Sequence, residues 1–180
     1  MSVATATIST ATIETPDGPF TVVADEDAVL ASGWTADVAS LVALVHPSIR
    51  PDLADVRDEL DAPGADGALA AALGAVDAYY AGDLDAPGRV PVRQRSGEFR
   101  MHAWDALREV EPGERVTYAE YAVRSGRPAA VRAAAGACAL NAAALFVPCH
   151  RVVRTDGGLG GFRYGLPIKE RLLERERPAA

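Results

Sequence analysis

The tetrapeptide Pro148-Cys149-His150-Arg151 holds the residues of this chain best suited to covalent chemistry. A cysteine becomes a selective nucleophile when its surroundings ionise it near neutral pH, and a histidine beside it supplies a base. The apolar run Leu145-Phe146-Val147 before the tetrapeptide and Val152-Val153 after it predict a thiol buried at the end of a strand. Neighbouring side chains on an extended chain point to opposite faces, so direct contact between Cys149 and His150 would be awkward. A free cysteine titrates near pH ~8.5, so the site must favour the thiolate by other means.

The elements that hold this tetrapeptide can be read from the residues around it. Phe99, Ala103, Leu107 and Val110 fall on one face of a helix over about Gly97 to Val110, ended by a turn at Pro112-Gly113. Thr117 followed by Glu120 matches a capping box, which predicts a short helix from Tyr118 toward Arg124. Gly126 permits a tight turn, and Pro128 fits the first turn of an alanine-dense helix reaching about Leu140. Helix, glycine turn and helix form a helix-turn-helix candidate, with ordinary core packing as the alternative. In the second helix Ala129, Ala130, Ala133, Ala134, Ala135, Gly136 and Ala137 leave Arg132 standing alone. Such a surface can come close to a nucleic-acid backbone or minor groove and push one arginine into a duplex, or it can pack tightly with Arg132 in solvent.

The first half reads as a mixed α/β unit. Thr5 to Glu14 and Phe20 to Val23 have strand composition and flank the turn Thr15-Pro16-Asp17-Gly18, which predicts a hairpin. Val29-Leu30-Ala31 is a candidate third strand. Val38, Leu41, Val42 and Val45 follow helix spacing up to Pro47, and Leu69 to Tyr80 predicts another helix. Asp83 to Val90, with Pro87-Gly88, reads as a linker, dividing the chain into residues 1–88 and 89–180. No nucleophile clusters with titratable groups in the first part, which is assigned a scaffolding role.

At 180 residues and 49% hydrophobic composition the chain can bury a core without staples. Its two cysteines, Cys138 and Cys149, have no metal-ligand spacing and suit a reducing compartment. Met1 to Thr10 lacks the pattern of a signal peptide and no apolar run is long enough to span a membrane, so a cytoplasmic, soluble monomer is expected. The net charge of −7 hides an asymmetry. Residues 1–88 carry two basic side chains, Arg50 and Arg57, against 15 acidic ones, a net of −13; residues 89–180 carry 16 against 10, a net of +6. A basic second half can attract phosphates locally, or the halves can complement each other across an interface. Lys169 is the one lysine, so forked arginine contacts to phosphate are favoured.

Tyr118, the Arg132 helix, Asn141, the string Val147 to Val153, the glycine-rich stretch Gly157 to Gly165 and the segment Lys169 to Glu176 follow one another in a single order. This order resembles the methylated-DNA–protein-cysteine methyltransferases (O6-alkylguanine-DNA alkyltransferases), densely from about Phe99 to Glu176. The first half resembles that family's ribonuclease-H-like domain more loosely. The resemblance implies an α/β (α+β) fold: an N-terminal ribonuclease-H-like mixed domain, then a helical C-terminal domain with a helix-turn-helix and the active-site cysteine. The implied activity is DNA repair by direct reversal, with irreversible single-turnover transfer of the alkyl group from O6-methylguanine, and potentially O4-methylthymine, to Cys149. The partner is double-stranded DNA containing O6-alkylguanine, and neither cofactor nor metal is expected.

The same resemblance assigns roles by residue. His150 contacts Cys149 through a water, Glu176 orients the imidazole, Tyr118 addresses N3 of the flipped base, and Asn141 braces the turn before the active-site segment. Arg132 fills the space left in the duplex, with Thr117, Ala133 and Arg151 as further DNA contacts. Val152, Gly160, Phe162, Arg163 and Tyr164 form the pocket for the base, which must leave the stack at a cost of a few kcal/mol. Two positions depart from the family pattern: Ala142 follows Asn141 where many relatives carry proline, and Arg163-Tyr164 replaces small pocket residues. The bulk of Tyr164 predicts weak reaction with O6-benzylguanine relative to methylated DNA. Two other functions fit parts of the sequence, a cysteine hydrolase and a non-catalytic sensor of alkylated DNA; relatives of the second kind lack the cysteine that Cys149 provides.

Overall fold

The computed structural model describes residues 7–59 and 67–179. The predicted hairpin forms as β1 (Ile8–Thr15) and β2 (Gly18–Ala24), with Thr15 facing Gly18 across Pro16-Asp17. Thr5 and Ala6, included in the expected first strand, lie outside the described residues. Gly18 takes a φ of 105°, a left-handed value that glycine adopts without steric cost. β3 (Val29–Gly33) pairs antiparallel with β2, and β4 (Val56–Asp58) pairs parallel with β1, giving the order β3-β2-β1-β4. β2 is central and apolar on both faces. Phe20, Val22 and Ala24 pack with α2 (Gly67–Tyr80), while Val23 packs with α1 (Val38–Leu44) beneath Leu30 and Ala31.

In the second half α3 (Glu98–Arg108) leads to the two-residue strand β5 (Val116–Thr117) and to α4 (Tyr118–Arg124). The Thr117–Glu120 capping box is complete: Thr117 Oγ1 accepts from the Glu120 amide at 3.1 Å, and Glu120 Oε2 accepts from the Thr117 amide at 2.7 Å. α5 (Val131–Ala139), β6 (Val152–Val153) and α6 (Leu166–Arg175) follow, and β6 pairs parallel with β5.

Three features differ from the sequence reading. β4 went unread because Val56-Arg57-Asp58 is short, largely exposed and shows no apolar alternation. α5 begins at Val131, three residues after Pro128, because Arg127 to Ala130 form a turn in which the Ala130 amide donates to Arg127 O at 2.8 Å. Cys149 sits in a single 3-10 turn, Cys149–Arg151, and not at a strand end. Leu145, with a φ of 74°, interrupts the extended run before it, and Pro148 has no amide hydrogen to donate to a ladder.

The sheet meets the second half along β3. The Val29 amide donates to Pro91 O at 2.9 Å, Arg93 N to Val29 O at 2.8 Å, Ser32 N to Ala142 O at 2.8 Å, and Ala144 N to Ser32 O at 3.2 Å. Ser32 Oγ adds a bond to Ala144 O at 2.8 Å. The edge of the sheet is thus satisfied partly by Pro91 and Arg93 and partly by the segment that leads into Cys149, which removes an exposed pairing surface. Phe20 and Phe146 touch edge to face across this seam with ring centroids 6.4 Å apart, inside one apolar cluster that spans both halves.

Candidate active site

Cys149 lines a cavity of about 570 Å³. Its walls come from Tyr118 at the start of α4, from Ala135, Cys138 and Ala139 on α5, from Asn141 and Ala144, and from Gly161 to Tyr164. This volume suits a small planar guest, and the walls are mostly apolar with a few convergent polar groups. Ala135 and Ala139 present only methyl groups to the cavity from α5.

Beside the Cys149 turn His150 and Glu176 form a buried pair. His150 and Glu176 are 0% and 2% exposed, and His150 Nε2 lies 2.8 Å from Glu176 Oε1. Burial alone would raise the Glu176 pKa, but the charge and hydrogen bond of His150, then those of Arg151, hold it well below the usual carboxylate range. Glu176 is therefore an anion that can only accept, so Nε2 carries the proton of the neutral imidazole and Nδ1 carries the lone pair. His150 Nδ1 is buried without a hydrogen-bond partner in the protein, and the ring makes no direct bond to Cys149. Burial pushes the His150 pKa down against the pull of Glu176. Burial also pushes the Cys149 thiol up, opposed by the Asn141 side chain and then by the charge of Lys169. At rest the pair is a neutral thiol beside a neutral base.

Asn141 hydrogen-bonds along the turn that precedes Cys149. Its Nδ2 donates to Val147 O at 2.8 Å, and its Oδ1 accepts from the Ala143 amide at 3.1 Å and from Gln94 Nε2 at 2.9 Å. Tyr118 lies against Gly160, whose φ of 75° and missing side chain make room for it: a Cβ there would stand 2.9 Å from the Tyr118 hydroxyl oxygen. Burial, then the nearby thiols, pushes the Tyr118 pKa up to about 12, so the phenol keeps its proton. Arg132 and Ala133 are exposed on α5, while Thr117 is engaged in capping α4. Phe162 and Tyr164 stack edge-on at 5.7 Å, and Arg163 reaches across to donate to Ala139 O at 2.6 Å. Tyr164 anchors the loop on β3 through its hydroxyl and Ser32 O, at 3.2 Å.

Two expected sites move. Arg151 is no surface residue: it is 7% exposed, its Nε and Nη2 donate to Glu176 at 2.9 and 3.0 Å, and Nη1 donates to Val110 O at 2.6 Å. With every terminal nitrogen engaged in the core it has no reach toward a phosphate. Val152 is fully buried away from the cavity, and its carbonyl accepts from Lys169 Nζ at 2.7 Å.

Three residues were missed as site components. Lys169 is fully buried and also donates to Gly161 O at 3.3 Å, tying the Cys149 turn to the cavity loop; its place as the sole lysine in an apolar stripe was the available signal. Gln94 holds Asn141 and, through Oε1, the Ala142 amide at 2.9 Å. Tyr79 of α2 donates to Glu176 Oε1 at 2.9 Å, so the first half reaches the relay and is more than a scaffold.

The model of the 6-O-methylguanine DNA methyltransferase DNA-binding domain matches residues 98–178. The bifunctional transcriptional activator/DNA repair enzyme Ada of Escherichia coli is 48% identical over 92 residues, covering 51% of this chain and 26% of Ada. The chain thus spans about a quarter of that relative. The methylated-DNA–protein-cysteine methyltransferase of Mycobacterium leprae is 40% identical over 111 residues, covering 62% of this chain and 67% of that protein. Among solved structures, Mycobacterium tuberculosis OGT in complex with DNA superposes with a TM-score of 0.72 at 26% identity, over 94% of this chain and 92% of that one. A cysteine on the wall of a cavity backed by a buried His150–Glu176 pair, within a fold shared over 94% of the chain and a sequence alignable over two thirds of a relative, places this chain in the O6-methylguanine-DNA methyltransferase (methylated-DNA–protein-cysteine methyltransferase) family.

Proposed function

We propose that this protein repairs double-stranded DNA by moving the alkyl group of O6-alkylguanine onto Cys149, once per molecule. The observation that carries this reading is Cys149 on the wall of a cavity of about 570 Å³, next in sequence to a buried His150 whose Nδ1 has no partner in the protein and whose Nε2 meets an ionised Glu176. An ether methyl carbon calls for a soft nucleophile, and a thiolate is the softest that side chains provide.

The guanine leaves the stack and enters between α5 and the 161–164 loop, while Arg132, exposed near the start of α5, fills the gap in the duplex. His150 Nδ1 takes the thiol proton through a water, and Glu176 stabilises the imidazolium. The sulfur attacks the methyl carbon; the S–C bond forms as the C–O6 bond breaks, and its electron pair passes into the guanine ring. The Tyr118 hydroxyl donates to that ring as charge builds, and the proton held by His150 returns to the product through solvent. The products are guanine and S-methylcysteine, a thioether with no leaving group that water can displace. Burial around the sulfur keeps the resting thiol neutral.

Intact-mass measurement after incubation with duplex DNA containing O6-methylguanine tests the proposal. The expected result is the mass gain of one methyl group on Cys149, one per protein, with guanine restored in the DNA. Binding without mass gain points to a sensor, and multiple turnover with an unmodified cysteine points to a hydrolase; either result overturns the reading.

A further inference from the structure

The steps above do not use Tyr79, a fully buried residue near the C-terminal end of α2. Its hydroxyl donates to Glu176 Oε1, the oxygen that also meets His150 Nε2 and Arg151 Nη2. Three donors converge on one carboxylate oxygen, and among the described residues no other side chain of the first half hydrogen-bonds a member of the relay. Each donor draws on the same negative charge, so what one takes is withheld from the imidazole.

We infer that Tyr79 is a positioning residue for the relay: by donating to Glu176 it limits how strongly the carboxylate holds a proton on His150, and so sets the pH at which Cys149 becomes reactive. The inference rests on the reading of Cys149 as an alkyl acceptor activated by His150. Arg151 alone fixes the carboxylate in place, with Nε on one oxygen and Nη2 on the other, so the phenol is not needed to hold the group still. Its contribution is to share charge. The phenol remains a donor at every working pH, because burial and then the Glu176 charge push its pKa far up. The other charged or titratable groups facing this cluster are Arg151 from the Cys149 turn and Lys169 from α6, which disfavour a cationic His150, and Tyr80 beside Tyr79. None of them is altered when the Tyr79 hydroxyl is removed.

Tyr79→Phe keeps the ring and deletes the donor. Glu176 then binds the imidazolium more strongly, His150 becomes more basic, and less of it is neutral and able to take the thiol proton in mild acid. Tyr80→Phe is the control. The Tyr80 hydroxyl donates to Asp17 Oδ2 and accepts from Trp34 Nε1, each at 2.9 Å, so its loss perturbs the same seam without touching the relay.

Two rates are measured against pH on the full chain: single-turnover methyl transfer from O6-methylguanine duplex DNA, and alkylation of Cys149 by iodoacetamide, both followed by mass. For Tyr79→Phe the acid limb should move up by roughly half to one pH unit, slowing reaction on that limb by about three- to tenfold while rates converge above it. Tyr80→Phe should leave the limb in place. Site-specific fluorotyrosine at position 79, nearly isosteric and a stronger donor, should move the limb the other way and keeps the test decisive if Tyr79→Phe folds poorly. A Tyr79→Phe profile that superposes on the wild type, or lies below it by one factor at every pH, overturns the inference, as does a fluorotyrosine profile that stays put. Failure of the wild-type protein to accept a methyl group would instead sink the proposed function, leaving the iodoacetamide profiles to decide on Tyr79.

Discussion

Replacing Gly33 by alanine would drive a single methyl group into the contact that seats the cavity loop on the sheet. Gly33 closes β3 beneath the Tyr164 ring, and a Cβ there would stand 1.9 Å from the Tyr164 hydroxyl oxygen, 2.1 Å from Cζ and 2.6 Å from Cε1. Heavy atoms in contact prefer about 3.5 Å, so the overlap is roughly 1.5 Å. The ring cannot swing aside, since Trp34 and Phe162 stand against it with centroids 5.7 Å away on each side. The loop that carries Arg163 and Phe162 must lift. The φ of Gly33 is not left-handed, so alanine adds no backbone strain and the whole effect is steric. Overpacking of this kind costs about 1–3 kcal/mol, equivalent in a chain this size to a Tm lower by roughly 2–12 °C. Urea denaturation and single-turnover methyl transfer on Gly33→Ala, Tyr164→Leu and the double variant form the assay. The double variant should regain most of the lost stability, with a coupling of at least about 1 kcal/mol. A Gly33→Ala protein that melts within a degree of the parent, together with additive single effects, would refute the steric argument.

Arg132→Ala should slow transfer from duplex DNA by roughly ten- to a hundredfold, the scale of losing a few kcal/mol of compensation for unstacking, while iodoacetamide alkylates Cys149 at an unchanged rate. Arg151→Met should destabilise the protein by about 3–5 kcal/mol in urea unfolding, by leaving buried Glu176 short of its countercharge. The salt dependence of DNA binding should be the same for Arg151→Met as for the parent, whereas loss of a phosphate contact would lower that slope by about one. Both His150 and Glu176 have folded pKa values below their unfolded ones, so each contributes stability that is present above its unfolded pKa and lost as the pH falls. Unfolding free energy should therefore decline as the pH drops below about 6.5 and again below about 4.5, and His150→Gln should abolish the first decline and shrink the second, since His150 is the leading pull on Glu176.

What could be read in advance was what local chemistry decides. The Thr117–Glu120 box fixes the start of α4 within four residues of chain, and the hairpin is set by Thr15 to Gly18 in the same way. The order of Tyr118, Asn141, Cys149, His150 and Glu176 was equally visible, and the fold brings Tyr118, Asn141 and Cys149 around one cavity with His150 and Glu176 behind them. Hidden were the features that depend on distant partners. β4 has too few apolar positions to announce a strand and exists because β1 offers it an edge. Tyr79 reaches its carboxylate across 97 residues, and Gln94 reaches Asn141 across 47, separations over which residue spacing carries no signal. Arg151 was misplaced as a DNA contact carried over with the resemblance, whereas burial with Glu176 turns it inward. The apolar run before Cys149 suggested a strand, and only the left-handed Leu145 reveals the bend that presents the thiol.

The backbone bonds from Val29 to Pro91 and Arg93, and from Ser32 to Ala142 and Ala144, hold the two halves in register without help from the peptide near Gly82. A break in the exposed chain near Gly82 would remove the covalent tether and leave that lattice of amides and carbonyls intact. Two co-expressed fragments should then find each other and restore a working protein, in the manner of a split reporter. Recovery of the acceptor activity would mark the meeting of whatever pair of molecules the fragments were fused to.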